Sequence, residues 1–376
     1  MPTIELARFL PKPVAFVLAG GASYGAVQVG HLRALAETDI EPDLVVGTSV
    51  GALNGALVAE DPKEAPAKLS ELWSSIVRGD VFGNTVGMAV SMVSGQPSAT
   101  RNDGLRALIE KSLTSRDFSD LTLPHTAIAT DFDTGDAVLI NDGDLVSALL
   151  ASAAIPLVFP QVPRDGRNLV DGGLVANVPI AAAATQGAET MVVLDCGFTV
   201  VAPERDDTYV GLLMRTAAIM AAQQVRRDLE KVADKTVLYL PGPWPITSRP
   251  DEFGDSDEMA SAAYDLALEW LSTLHLEGSG RYGETPADFL TKRKRVRPPE
   301  PSENETEEVG PVQSAAGAAA GAAAEAAVGA AAGAGKVASI AVDQVGKATR
   351  SAAKRLAEAE EADESAAENA APSHDK

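Results

Sequence analysis

The chain has 376 residues, of which 45% are hydrophobic, 5% aromatic and 22% charged. That is enough for one large domain or two ordinary ones, and too apolar for a wholly disordered protein. Its 31 Lys and Arg against 53 Asp and Glu give a formal net charge of -22, which repels phosphate backbones and argues against nucleic-acid binding. The lone cysteine, Cys196, closes no intramolecular disulfide, and no Cys/His run has metal-ligand spacing, so a zinc site is not expected and a reducing compartment fits. Met1 to Pro13 holds no uninterrupted apolar segment followed by a small-residue cleavage pattern, and the expectation is a non-secreted, cytoplasmic protein.

In chain order, Val14 to Ala19 reads as a buried strand that runs through Gly20-Gly21-Ala22-Ser23-Tyr24-Gly25 into a helical pattern ending near Thr38. Leu44-Val45-Val46 is the next apolar strand and feeds a helix from Ser49 to Ala59, a compact β-α-β-α opening. Helices follow over Gly104 to Leu113, Tyr209 to Val232 and Met259 to Leu274. Strands follow over Thr126 to Thr130, Ala137 to Asn141, Met191 to Asp195 and Val237 to Leu240. This alternation predicts an α/β fold, a sheet covered by helices. Composition changes near Pro298: beyond it aromatics vanish, and Ala315 to Gly335 is 14 Ala and 5 Gly plus Glu325 and Val328. Such a run has too little side-chain surface to fill a core, and Glu325 in mid-run argues against a membrane span. Residues 298–376 are therefore expected to be a low-complexity, disordered tail. Lys336 to Leu356 allows a surface helix for a membrane face or a partner, and an acidic end follows it.

Three motifs carry chemistry. Gly47-Thr48-Ser49-Val50-Gly51 follows a strand and opens a helix, so glycines at both flanks permit a tight turn that exposes the Ser49 hydroxyl in front of helix N-terminal amides. In Gly20-Gly21-Ala22-Ser23-Tyr24-Gly25, small residues let several backbone N–H groups converge, as in a phosphate cradle or an oxyanion hole. A P-loop is excluded because no Lys-Ser/Thr pair follows. A dinucleotide fingerprint is weakened by Ala22 at its middle position, although Asp39 and Asp43 lie at the distance of a ribose contact. Asp171-Gly172-Gly173 presents a carboxylate from an open turn, where it is able to take a serine's proton or simply to cap the turn.

Together these segments resemble the patatin-like phospholipase family, relatives of patatin and the cytosolic phospholipases. The resemblance spans about Phe16 to Pro179 and adds Ala151-Ser152-Ala153-Ala154-Ile155-Pro156 with Phe159-Pro160, and Asn177 and Pro179 after the Asp-Gly-Gly turn. It implies a three-layer α/β domain over residues 12–285, with its motif-bearing core at 14–196. It also implies a Ser-Asp dyad of Ser49, the nucleophile, and Asp171, the general base. Gly47 and Gly51 would frame the nucleophile elbow, with an oxyanion hole from the amides of Gly20, Gly21 and Ala22. The implied reaction is hydrolysis of a lipid carboxylic ester through an acyl-enzyme, with no metal or organic cofactor. Lipid or another acyl ester is the expected substrate, with peripheral membrane contact. Two departures stand out: Ala22 replaces the family's usual third glycine, and Tyr24 lies where many members carry arginine nearby.

Other readings compete. Ser49, Asp171 and His275 follow the chain order of an α/β-hydrolase triad, but His275 reads as a helix-end histidine; His31 and His125 read as structural, Cys196 as a small buried residue, and Asp131 as a turn residue. Trp73 and Trp270 fit helical cores, whereas Trp244 sits in a Pro-Gly loop that would line an acyl groove, touch a membrane or pack on its own domain. The alternative function is a catalytically weak or inactive patatin-like module that binds lipid or a partner.

Overall fold

The computed structural model describes residues 6–82, 101–200 and 209–288. The expected tail, its alanine-glycine run and the surface helix at 336–356 lie outside these residues. Among the described residues no helix is long and apolar enough to cross a membrane.

The order of elements is α1 (Leu6–Phe9), β1 (Val14–Leu18), α2 (Ala26–Ala36), β2 (Leu44–Thr48), α3 (Val50–Glu60), α4 (Ala65–Ser75), α5 (Arg78–Phe82), α6 (Asp103–Ser112), β3 (His125–Asp131), β4 (Ala137–Ile140) and α7 (Leu145–Ser152). There follow β5 (Val162–Arg164), β6 (Arg167–Asp171), α8 (Gly173–Ala176), α9 (Ile180–Thr185), β7 (Thr190–Leu194), α10 (Tyr209–Lys231), β8 (Thr236–Tyr239), α11 (Ser256–Thr273) and β9 (Gly280–Tyr282). Hydrogen-bonded neighbours in the sheet run β5-β6-β3-β2-β1-β7-β8-β9, with β4 also paired to β3. This is the α/β architecture that the alternating pattern predicts.

The centre of the sheet is parallel, β1 lying between β2 and β7, and every residue of β1, β2 and β7 is buried. A parallel strand covered by helices on both faces has no polar side to show, which is why Val-Ala-Phe-Val-Leu reads as one apolar run. On one side of the sheet α2 packs closely on α11. Gly30 sits at their crossing, where an added Cβ would lie 2.1 Å from the Ala260 carbonyl oxygen, so close approach outweighs the roughly 1 kcal/mol that glycine costs inside a helix.

The register around β3 positions the site. β2 pairs in parallel with β3 from Val45–His125 to Thr48–Ile128. β4 pairs antiparallel with Ala127 to Thr130 and β6 antiparallel with Ala129 to Asp131. Because Ala127 and Ile128 face both β2 and β4, while Ala129 and Thr130 face both β4 and β6, β2 and β6 share one edge of β3. β2 leaves that edge after Thr48, and β6 occupies it from Asp171, opposite Ala129.

Candidate active site

Ser49 follows the last residue of β2 and caps α3, with φ 54° and ψ -125°. A non-glycine residue in this region stores about 1–3 kcal/mol of strain and needs surroundings that hold it. Those surroundings are present. The Ser49 amide donates to Ser152 Oγ at 2.9 Å, and the Ser152 hydroxyl donates in turn to the Ile128 carbonyl at 2.6 Å. Thr48 Oγ1 donates to the Ala176 carbonyl at 2.6 Å. Gly47 and Gly51 close the elbow by contact: a Cβ on Gly47 would lie 2.3 Å from Gly51 O, and one on Gly51 would lie 2.3 Å from Leu18 O.

Asp171 ends β6 at the shared edge of β3 and is 7% exposed, as is Ser49. Its Oδ1 accepts the Gly173 N–H at 2.7 Å, and Thr130 Oγ1 donates to its carbonyl at 2.8 Å. Burial raises its carboxyl pKa to about 6, a rise that the neighbouring Ser49 hydroxyl and the Gly173 amide partly offset. Oδ2 has no donor at full hydrogen-bond geometry, a spare acceptor of the kind that tightens when a substrate orders the site. The register thus brings Ser49 and Asp171 together from positions far apart in the chain.

The glycine-rich loop lies against this pair. Gly20 donates its amide to the Asn177 carbonyl at 2.9 Å, and Asn177 Nδ2 donates back to the Gly20 carbonyl at 3.3 Å, so the first loop is clamped to the segment after Asp171. The Gly20 amide is therefore committed, which differs from its expected place among the oxyanion donors. Its contribution is closeness, since a Cβ there would lie 3.3 Å from Ser49 Cβ. Among the described residues the amides of Gly21 and Ala22 have no backbone acceptor. Ala22 takes φ 50°, the conformation glycine adopts freely and a side chain pays about 1–2 kcal/mol to adopt. Beneath the loop a buried polar chain holds both of its ends: Trp73 Nε1 donates to Asn54 Oδ1, Asn54 Nδ2 to Gln28 Oε1 and the Gly25 carbonyl, and Gln28 Nε2 to the Ala19 and Leu194 carbonyls.

From Ser49 an apolar cavity of about 730 Å³, open mouth included, runs along α3. Val50, Leu53 and Leu57 form one wall, and Trp73, Phe82 and Phe159 belong to the others. Among the described residues no group of three His, Cys, Asp or Glu is placed to hold a metal ion.

The competing residues lie elsewhere. His275 is exposed beyond the end of α11 and does not line the cavity. His31 and His125 are fully buried, bonded to the Pro241 and Val45 carbonyls, and burial lowers each pKa to about 4. Cys196 is buried behind Gly21. Trp244 packs on Gly197 and Gly242 and not on the cavity. Asp131 Oδ1 caps its own turn at the Asp133 amide, and Asp43 holds the start of β1 through the Val14 amide at 2.7 Å, a structural employment for the candidate ribose ligand. The residues that sequence reasoning left without a role are Ser152, Asn177, Gln28 and Asn54. Each is polar and buried in a stretch otherwise small or apolar, the signal by which they were open to detection.

A sequence model of the family described as patatin-like phospholipase matches residues 16–184. The patatin-like phospholipase domain-containing protein 7 of Mus musculus is 34% identical over 210 residues, 54% of this chain and 15% of that protein. The domain-containing protein 6 of Homo sapiens is 30% identical over 197 residues, 51% of this chain and 14% of its own length. The chain thus spans about one-seventh of the length of these relatives. The solved structure of VipD from Legionella pneumophila superposes over 70% of this chain and 67% of its own with 13% identity and a TM-score of 0.37. Residues 16–184 thus match the patatin-like phospholipase family, a family of lipid acyl hydrolase type.

Proposed function

We propose that residues 12–285 form a serine acyl hydrolase that cleaves carboxylic esters of lipids through a Ser49–Asp171 dyad. The observation that carries this reading is a strained serine at a helix N-terminus beside a buried carboxyl with one oxygen still unsatisfied. Ser49 Oγ attacks the ester carbonyl while its proton passes to Asp171, and the amides of Gly21 and Ala22 hold the oxyanion. Asp171 then gives the proton to the departing alkoxide. Water attacks the acyl-enzyme with Asp171 again taking a proton, which returns to Ser49 as the acid leaves. An ordinary aspartate is a poor base at neutral pH; burial brings Asp171 closer to the working range while leaving it mostly ionised at pH 7. The apolar cavity supplies the acyl site, and Leu157 stands exposed in the chain between the lining residues Ile155 and Phe159, which suits a substrate presented at a lipid interface.

The test is hydrolysis of nitrophenyl esters and phospholipid vesicles, with fluorophosphonate labelling, by the parent chain and by Ser49→Ala, Asp171→Asn and His275→Ala. Labelling and turnover are expected to vanish in the first two and persist in the third. A parent chain that neither labels nor turns over either substrate overturns the reading in favour of a binding module.

A further inference from the structure

Between β8 and α11 the chain passes outside the sheet as a strap anchored on the glycine-rich loop. The Ser23 amide donates to the Pro250 carbonyl at 3.1 Å, Ser23 Oγ to the Arg249 carbonyl at 3.3 Å, and the Tyr24 hydroxyl to the Ser248 carbonyl at 2.7 Å. Tyr24 is wholly buried. A second latch joins Arg78 Nε to Asp251 Oδ2 at 3.1 Å. The strap lies beyond residues 16–184, the part that the family model matches. It delivers Phe253 into the cavity lining, 6.0 Å from Trp73 and 6.3 Å from Phe82 between ring centroids, and Phe82 stacks on Phe159 at 5.7 Å. These four rings form an arc, and the face of α3 bearing Val50, Leu53 and Leu57 lines the same cavity. The helix face and the aromatic wall thus bound the cavity as a slot, with Leu105, Leu108 and Ile109 of α6 completing its lining. From Ser49 to Leu57 the helix rises about 12 Å, the length of an extended acyl chain of about nine carbons from ordinary bond geometry.

We infer that Phe253 is a specificity-determining residue that narrows this slot to a single unbranched acyl chain of about eight to ten carbons, and that Tyr24 is the positioning residue that holds Phe253 there through the strap. The inference deepens the hydrolase reading by naming its acyl group, and it is tested by binding, apart from turnover. In a Ser49→Ala background, titration with methyl decanoate and with its branched isomer methyl 4-propylheptanoate, followed by calorimetry and by the fluorescence of Trp73 in the cavity lining, is expected to show tighter binding of the linear ester by about tenfold, what two buried methylenes supply. Phe253→Ala and the milder Phe253→Leu should erase that preference. Tyr24→Phe, which keeps the ring and loses the strap bond, should reduce it with little change in thermal stability. An unchanged preference in both folded Phe253 variants, or failure of the linear ester to bind, overturns the inference; so does a Tyr24→Phe variant that melts earlier yet discriminates as before. Turnover of the same two esters with Ser49 restored reports on the hydrolase reading separately: binding preference without turnover sinks that reading and leaves the slot standing.

Discussion

Asp171→Asn is expected to abolish activity and yet stabilise the fold at neutral pH. Burial raises the Asp171 pKa from 3.8 to about 6. Between those values the folded protein holds a proton that the unfolded chain has released. Stability from this group is thus fully present below pH 3.8 and is lost as pH rises through 6. By pH 7.5 the loss is about 3 kcal/mol, and at pH 5 it is about 1.6 kcal/mol. Asparagine is isosteric and uncharged, so it escapes the loss; the preference of the Gly173 amide for a charged acceptor is already contained in the pKa of about 6. Urea unfolding of both proteins at pH 7.5 and 5 should show the variant about 3 kcal/mol more stable at the higher pH, with the margin shrinking by about half at the lower. A variant less stable at both pH values, or a margin independent of pH, refutes the argument that this carboxylate is held ionised against burial.

Three further outcomes follow from other parts of the molecule. His31 and His125, with pKa values lowered to about 4 by burial, contribute stability that is complete above pH 6.5 and drains away as pH falls towards 4, up to about 3 kcal/mol each; His31→Gln, which keeps a donor for the Pro241 carbonyl, should flatten the acid limb of an unfolding-against-pH curve by about one proton. Ser152→Ala leaves the Ser49 amide unpaired in the interior and removes a bond to the Ile128 carbonyl, so thermal unfolding should register a loss of about 1–3 kcal/mol, with kcat lowered more than KM raised. Gly51→Ala places a methyl 2.3 Å from the Leu18 carbonyl oxygen and 2.5 Å from that of Ala19, backbone in the centre of the sheet; equilibrium denaturation should show a cost of about 3 kcal/mol or more.

What the chain revealed before folding, and what it concealed, divides along a physical line. β1, β2 and β7 are buried on both faces, so their side chains form unbroken apolar runs that are visible in the sequence. The turn at Ser49 was legible because only small residues fit at Gly47 and Gly51. β5 and β6 are not legible in the sequence because Val-Pro-Arg and Arg-Asn-Leu-Val-Asp are short, polar-fronted and half exposed, leaving no periodicity to read. The helix Ala65–Ser75 shows in the sequence only through Trp73, its pattern being diluted by serine and lysine. The Gly20 amide shows a deeper limit: its composition suits an oxyanion donor, but its hydrogen bond goes to a residue more than 150 positions away. Tyr24 is similar, a departure whose employment became apparent only when Ser248 arrived beside it.

The handover of one strand edge from β2 to β6 has a consequence for how such a domain tolerates change. Ser49 and Asp171 meet because both are counted from Ile128 and Ala129, so the chain connecting them is free to lengthen or shorten without moving either. Slippage is another matter. A shift of β6 by one residue would turn the Asp171 side chain to the opposite face of the sheet, with backbone pairing otherwise intact. With the proposed dyad, a protein in that state would look folded by its secondary structure and be chemically silent, which would make reactivity at Ser49 a stricter measure of correct assembly than any spectroscopic count of strands.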